Sequence, residues 1–178
     1  MRFTPLPIDG AFLVELEQIR DERGYFARVW CADEFARHGL DSRAAQANLG
    51  VNPRRGTLRG LHYQAAPHLE AKLVRCLRGS AWDVLVDLRP ESVTFRRWHA
   101  VELSAENHHA VYIPPLCAHG YVTLVDDTEV WYQATAPYEP TSARGVRHDD
   151  PAIGIDWPIE ATVISGRDQA WPLLSPTA

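Results

Sequence analysis

Apolar positions along the chain recur with a period of two far more often than with the helical period. The alternation is clearest between Ala81 and Leu88. Trp82, Val84, Val86 and Leu88 fall on one side of an extended chain, and Ala81, Asp83, Leu85 and Asp87 on the other. Segments rich in Val, Leu, Trp and Tyr predict strands over residues 11–19, 57–64, 72–77, 81–88, 98–103, 110–113, 120–124 and 129–134. Turn signals separate them, among them Arg78-Gly79-Ser80, Arg89-Pro90-Glu91-Ser92, Pro114-Pro115 and Asp126-Asp127. Short strands punctuated every roughly 8–12 residues predict an antiparallel sandwich or barrel. One helix is expected over residues 32–38, with Gly39 as its stop. Asp149-Asp150-Pro151 and the tail read as loop, apart from a short strand or turn at 162–165. Neither a repeat nor a linker divides the chain, so one mainly β domain over residues 1–178 is expected.

Composition narrows the class. Of 178 residues, 46% are hydrophobic, which is ample for a core and too apolar for disorder. The chain has no 18-residue apolar run that would predict a membrane span. The net charge of −5 argues against a nucleic-acid partner. That charge is unevenly spread: residues 20–78 hold eleven basic against six acidic side chains, a net +5. A basic region in an acidic protein suits a small anionic ligand, although charge alone fits a plain solvated face better. Cys31, Cys76 and Cys117 are odd in number and far apart, so they suggest neither a zinc knuckle nor a disulfide framework. Residues 1–7 lack the apolar stretch of a signal peptide, and a reduced, cytoplasmic compartment is expected.

The densest polar constellation is Arg59-Gly60-Leu61-His62-Tyr63-Gln64. On a regular strand Leu58, Gly60, His62 and Gln64 share a face, and Arg59 points away from them. Gly60 there leaves room for a ligand or bends the strand. A histidine facing a barrel interior acts as a general base when a carboxylate fixes its tautomer. Standing alone, it reads slightly better as a satisfied core histidine. Metal is the obvious competitor, but none of the eight histidines forms a His-x-His pair, and nothing in the spacing points to a metal. Lys72 is the sole lysine beside seventeen arginines and lies between apolar neighbours. A lysine facing inward from a barrel strand is expensive unless it has a purpose.

Several motifs together carry a resemblance. They are Asp21-Glu22-Arg23-Gly24-Tyr25-Phe26, Arg59 to Gln64, Glu70-Ala71-Lys72-Leu73-Val74-Arg75-Cys76, and Ile113-Pro114-Pro115 with Ala118-His119-Gly120. Glu129-Val130-Trp131-Tyr132, Asp149-Asp150-Pro151 and Ile155-Asp156-Trp157-Pro158 complete the set. In this order and spacing the chain resembles the dTDP-4-dehydrorhamnose 3,5-epimerase family over nearly its whole length. The resemblance implies a cupin-like antiparallel β-sandwich or jelly-roll barrel with a few short helices. It also implies a homodimer that uses no metal or other cofactor, acting on a dTDP-linked 4-keto-6-deoxyhexose.

The ketone of such a sugar acidifies the hydrogens on both neighbouring carbons. Epimerisation then needs a base on one face, an enolate stabiliser, and an acid on the other face. By resemblance His62 is the base, Asp168 orients it, Lys72 stabilises the enolate oxygen and Tyr132 returns a proton. Arg23, Gln46, Asn48, Arg59 and His119 are implied at the diphosphate and sugar, Tyr138 on the thymine, and Phe26 and Arg167 elsewhere in the substrate site. Arg59 meets His62 on one face only if a bulge at Gly60 shifts the alternation, or if one strand face serves a neighbouring subunit. Five positions depart from the family pattern: Arg28 in place of Glu, Gly50 of Ser, Leu116 of Gly, Ala143 of Glu and His148 of Trp. These leave open an epimerase of carbon 3 alone. Beyond that reading stand a metal-dependent cupin oxygenase and a non-catalytic nucleotide-sugar binder.

Overall fold

The computed structural model describes residues 1–174. Among them the chain runs β1 (Arg2–Pro5), β2 (Phe12–Glu15), β3 (Ile19–Asp21), β4 (Gly24–Phe26), α1 (Ala32–Arg37), β5 (Gln46–Asn52) and β6 (Thr57–Gln64). It continues through β7 (Lys72–Arg78), β8 (Ser80–Asp87), β9 (Trp98–Ser104), β10 (Ala110–Ile113), β11 (Cys117–Thr123) and β12 (Thr128–Ala134). Last come β13 (Ala143–Gly145), β14 (Val163–Ile164) and α2 (Gly166–Gln169). One sheet has the order β1-β2-β10-β7-β12-β5, and the other β13-β6-β11-β8-β9, with β14 lying parallel to β6. A separate hairpin joins β3 to β4.

From β5 to β8 the chain crosses between the sheets at every turn, and from β9 to β13 it does so again. Pairing therefore joins strands distant in sequence. Sharp corners make this possible. Gly79, between β7 and β8, has φ +73°, and a Cβ there would stand 2.6 Å from Thr128 Oγ1. Leu116, between β10 and β11, adopts φ +62°, a left-handed conformation that explains why the resemblance places glycine at this position. The antiparallel, mainly β, cupin-like expectation holds.

Three apolar layers hold the sheets. Val74, Cys76, Leu85, Val111, Ile113 and Val130 pack between them. Helix α1 puts Phe35 with Val14, Leu73 and Tyr112 on the outside of the first sheet. The outside of the second sheet buries Val84 and Val86 under Ile153, Ile155 and Trp157 of the tail. Both faces of β8 are thus buried, and the face carrying Asp83 and Asp87 is the one turned toward the facing sheet.

The elements absent from the sequence reading have physical reasons. Strand β5 turns Gln46, Asn48, Gly50 and Asn52 inward and leaves Leu49 and Val51 exposed, which inverts the usual pattern. The expected strand 11–19 divides into β2 and the first residue of β3. Edge strands β1 and β13, and the fully exposed hairpin β3–β4, carry little apolar alternation. The loop-like tail contains α2, a single turn capped by Ser165.

Asp87 organises the corner after β8. Its carboxylate accepts hydrogen bonds from Arg89 N (3.0 Å), Nε (2.8 Å) and Nη2 (2.7 Å), from Ser92 Oγ (2.5 Å) and from Thr94 Oγ1 (2.6 Å). Burial alone would raise its pKa, but these donors outweigh burial and hold it at about 2. A folded-state pKa below the unfolded one stabilises the fold above pH ~4, and this is lost as pH falls toward 2. Asp87→Asn is expected to cost about 1–3 kcal/mol at pH 7. Urea unfolding against pH should also show a shallower loss of stability between pH ~4 and ~2 than wild type.

Candidate active site

The two sheets enclose a cavity of about 640 Å³ at the end where β5, β6, β11 and β12 meet the tail. Its geometry starts on β6. His119 of β11 pairs with His62, and Tyr121 pairs with Arg59, so three steps along β6 match two along β11. This is a bulge at Gly60-Leu61, and it shifts the alternation so that Arg59 and His62 line the same cavity of one chain. Glycine is required on both strands. Gly60 has φ +130°, and a Cβ on it would lie 2.5 Å from Gly120 Cα. A Cβ on Gly120 would lie 2.7 Å from Arg59 O.

His62 Nε2 lies 2.6 Å from Asp168 Oδ1. Asp168 arrives from 106 residues away because β14 pairs with the start of β6, Val163 opposite Thr57 and Ile164 opposite Leu58. Ser165 Oγ then accepts the Asp168 N–H (3.1 Å), and the turn of α2 swings the carboxylate back into the cavity. Gly60 N–H donates to Asp168 Oδ2 (3.3 Å), so the bulge also holds the carboxylate. Burial would raise the Asp168 pKa, but the hydrogen bonds from His62, Gly60 and Ser165 bring it below the ordinary value. An ionised carboxylate on Nε2 places the His62 proton there and leaves Nδ1 as the basic nitrogen. Trp171 sits edge-on to the imidazole at 6.2 Å, filling space that a Cβ on Gly145 would occupy.

Across the cavity, on the facing sheet, stand Tyr132 from β12 and Lys72 from β7. Burial raises the Tyr132 pKa, and the charges of Glu70 and Tyr138 add to it, so the phenol is held protonated. Lys72 is nearly buried, and its Nζ donates to His62 O and pairs with Glu70 Oε1, both at 3.2 Å. His119 Nε2 lies 2.7 Å from Oδ2 of Asp83, whose side chain is fully buried. Burial raises the Asp83 pKa, opposed in part by His119 and Lys72.

Arg59, Arg144 and Arg167 supply positive charge to the same cavity, and their hydrogen-bond partners are neutral. Arg59 Nε donates to Asn52 Oδ1 (2.8 Å), and Arg144 Nη1 to the carbonyls of Thr141 and Ala143 (both 2.9 Å). Arg167 Nη2 donates to Tyr138 Oη (3.3 Å), and its guanidinium lies 5.3 Å from the Trp171 ring centre. Tyr138 is half exposed, and its N–H donates to Gln46 Oε1 (2.7 Å). Gln46 and Asn48 line the wall from β5.

Ten of the twelve expected site residues thus converge on one cavity: His62, Lys72, Tyr132, Asp168, Gln46, Asn48, Arg59, His119, Tyr138 and Arg167. Arg23 and Phe26 do not join them. Both are exposed on the β3–β4 hairpin, where Arg23 is forked onto Asp21. Sequence reasoning missed Arg144, Trp171 and Asp83 as neighbours of the site. Only Asp83 left a signal, as an acid on the Leu85 side of an otherwise apolar strand. Among the described residues no group of three or more His, Cys, Asp or Glu side chains is placed to hold a metal ion.

A cupin-like sandwich with a carboxylate-held histidine, a facing tyrosine and unneutralised arginines defines an acid–base site for an anionic substrate. The chain belongs to the dTDP-4-dehydrorhamnose 3,5-epimerase family, whose model matches residues 5–176. It is 42% identical over 175 residues to the dTDP-4-dehydrorhamnose 3,5-epimerase of Sinorhizobium fredii, covering 98% of this chain and 90% of that one. It is 39% identical over 176 residues to the dTDP-4-dehydrorhamnose 3-epimerase of Streptomyces niveus, covering 98% and 84%. The crystal structure of dTDP-4-dehydrorhamnose 3,5-epimerase from Elizabethkingia anophelis superposes with a TM-score of 0.94 at 37% identity, covering 97% and 96%.

Gly60→Ala tests the bulge. The new Cβ meets Gly120 backbone and the φ is unfavourable, so the variant should lose at least about 2 kcal/mol of stability in urea unfolding. The His62 to Asp168 contact should loosen with it.

Proposed function

We propose that this protein epimerises carbon 3, carbon 5 or both of a dTDP-linked 4-keto-6-deoxyhexose, without metal or other cofactor. The observation that carries the reading is the placement of His62 on one sheet, held by Asp168 of α2, and of Tyr132 on the facing sheet, around one cavity. His62 Nδ1 takes the proton from the carbon beside the ketone, and the C–H electron pair becomes the enolate. Asp168 stabilises the imidazolium that forms. The Lys72 ammonium stabilises the enolate oxygen, helped by His119. Tyr132 delivers its proton to the opposite face of that carbon, and solvent restores both residues to their starting states. Arg59, Arg144 and Arg167 hold the diphosphate, and Tyr138 stacks on the thymine. Relatives named as 3,5-epimerase and as 3-epimerase make the number of carbons the open variable.

Heavy water reports both carbons at once. Wild-type enzyme should incorporate deuterium from solvent into dTDP-4-keto-6-deoxyglucose at carbons 3 and 5, or at carbon 3 alone for a mono-epimerase. His62→Ala should slow exchange at least about 100-fold, and full exchange in that variant would refute the assignment. Tyr132→Phe should impair turnover more than exchange, because the base still abstracts the proton.

The same reading includes a cytoplasmic homodimer. The three cysteines are free thiols, and no described helix is long and apolar enough to cross a membrane. Strand β5 is a sheet edge with Leu49 and Val51 exposed, and Ile19 and Phe26 are exposed on the hairpin. A second copy of the chain covers these surfaces, and Arg23 and Phe26 then complete the neighbouring cavity. Co-expressing inactive Arg23→Ala and His62→Ala chains should recover about a quarter of wild-type activity, since a mixed dimer regains one intact site. No recovery in a mixed dimer would assign Arg23 to its own chain's cavity or to neither.

A further inference from the structure

We propose that Asn52 is a positioning residue for Arg59: a buried amide, seated by Gly50 and Tyr121, that aims the guanidinium into the cavity without neutralising it. The inference rests on the reading of Arg59 as a ligand of the substrate diphosphate.

Asn52 is fully buried at the end of β5, and its polar atoms are all engaged. Its Nδ2 donates to Thr128 O (3.0 Å) and Gly50 O (3.1 Å). Both partners are carbonyls that only accept, so the amide has one permitted orientation, and Oδ1 must face Arg59 Nε at 2.8 Å. Arg59 Nη2 reaches Val51 O (3.3 Å), and the remaining guanidinium donors have no protein partner among the described residues. An amide holds the arginine's inner edge as a carboxylate would, yet leaves its charge for an anion.

Gly50 and Tyr121 complete the seat. A Cβ at position 50 would stand 2.7 Å from Tyr121 Oη and 3.8 Å from Arg59 Nε. The tyrosine hydroxyl occupies the space that the missing side chain leaves, 3.3 Å from Asn52 Nδ2. The departure from serine at Gly50, in the cavity wall, thus belongs to the support of Arg59.

The test is calorimetric binding of dTDP to the full chain, with a double-mutant cycle. Arg59→Ala should weaken dTDP roughly 30-fold and Asn52→Ala roughly 10-fold, the scale of a hydrogen bond to a charged group. In the Arg59→Ala background, Asn52→Ala should cost less than about two-fold more, because it acts only through the arginine. In turnover, the loss in Asn52→Ala should be larger in KM than in kcat. Gly50→Ala, which displaces the Tyr121 hydroxyl, should weaken dTDP about 3–10-fold and likewise lose its effect beside Arg59→Ala. Thermal unfolding identifies any variant that does not fold, and Gly50→Ala carries the test if Asn52→Ala is one. Losses that multiply in the double variants, or wild-type affinity in a folded Asn52→Ala, would overturn the positioning role. Wild-type affinity in Arg59→Ala would instead remove Arg59 from the diphosphate site, and the inference with it.

Discussion

At Gly60 and Gly120 strands β6 and β11 approach too closely to admit a side chain, and the site depends on this contact. Neither position tolerates a Cβ, because each would drive one into the other's backbone. Their approach admits the extra residue of the bulge. The bulge turns Arg59 and His62 to the same side, and its free N–H grips the Asp168 carboxylate. One local constraint therefore sets the direction of Arg59, the direction of His62, and the position of the Asp168 carboxylate beside it.

Electrostatics set the cavity arginines apart from a group of carboxylate-paired ones. Around the surface, Arg2, Arg28, Arg43, Arg89 and Arg147 are each tied to a carboxylate. In the cavity, Arg59, Arg144 and Arg167 are held by an amide, by carbonyls and by a phenol, which fix direction without cancelling charge. The acids beside the cavity are engaged in turn: Asp168 with His62, Asp83 with His119, Glu70 with Lys72. Cationic donors thus face the cavity from both sheets, and each of these acids is already paired, Asp168 and Glu70 in the cavity wall and Asp83 behind His119. Such an arrangement suits an anionic ligand and an intermediate that develops negative charge on oxygen.

The basic stretch from Arg20 to Arg78 illustrates how far a linear pattern reaches. Of its eleven cations only Arg59 and Lys72 line the cavity. Arg23, Arg28 and Arg43 are paired with nearby acids on the surface. Arg144 and Arg167 come from the acidic half of the chain. Charge clustered in sequence marks a cluster in space only where the backbone keeps those residues together, and the crossings between sheets disperse them. Strand β5 was illegible for a related reason: its polar residues face the cavity, so its alternation is that of a strand turned inside out. The glycine expected at Leu116 is legible only after folding, as a corner with positive φ.

By itself the sequence determined the β architecture, because period-two alternation and regular turn signals are local consequences of strand geometry. Through the order and spacing of its motifs it also carried the family resemblance, and with it the residue types expected at the site. Tertiary structure alone decided three further things: that Asp168 meets His62 across 106 positions, that Arg59 turns to the same face as His62, and that Arg23 and Phe26 lie outside the cavity of their own chain. Each depends on strand register or on a close backbone approach. Those are set by what packs across the sheets, and neighbours along the chain carry no record of them.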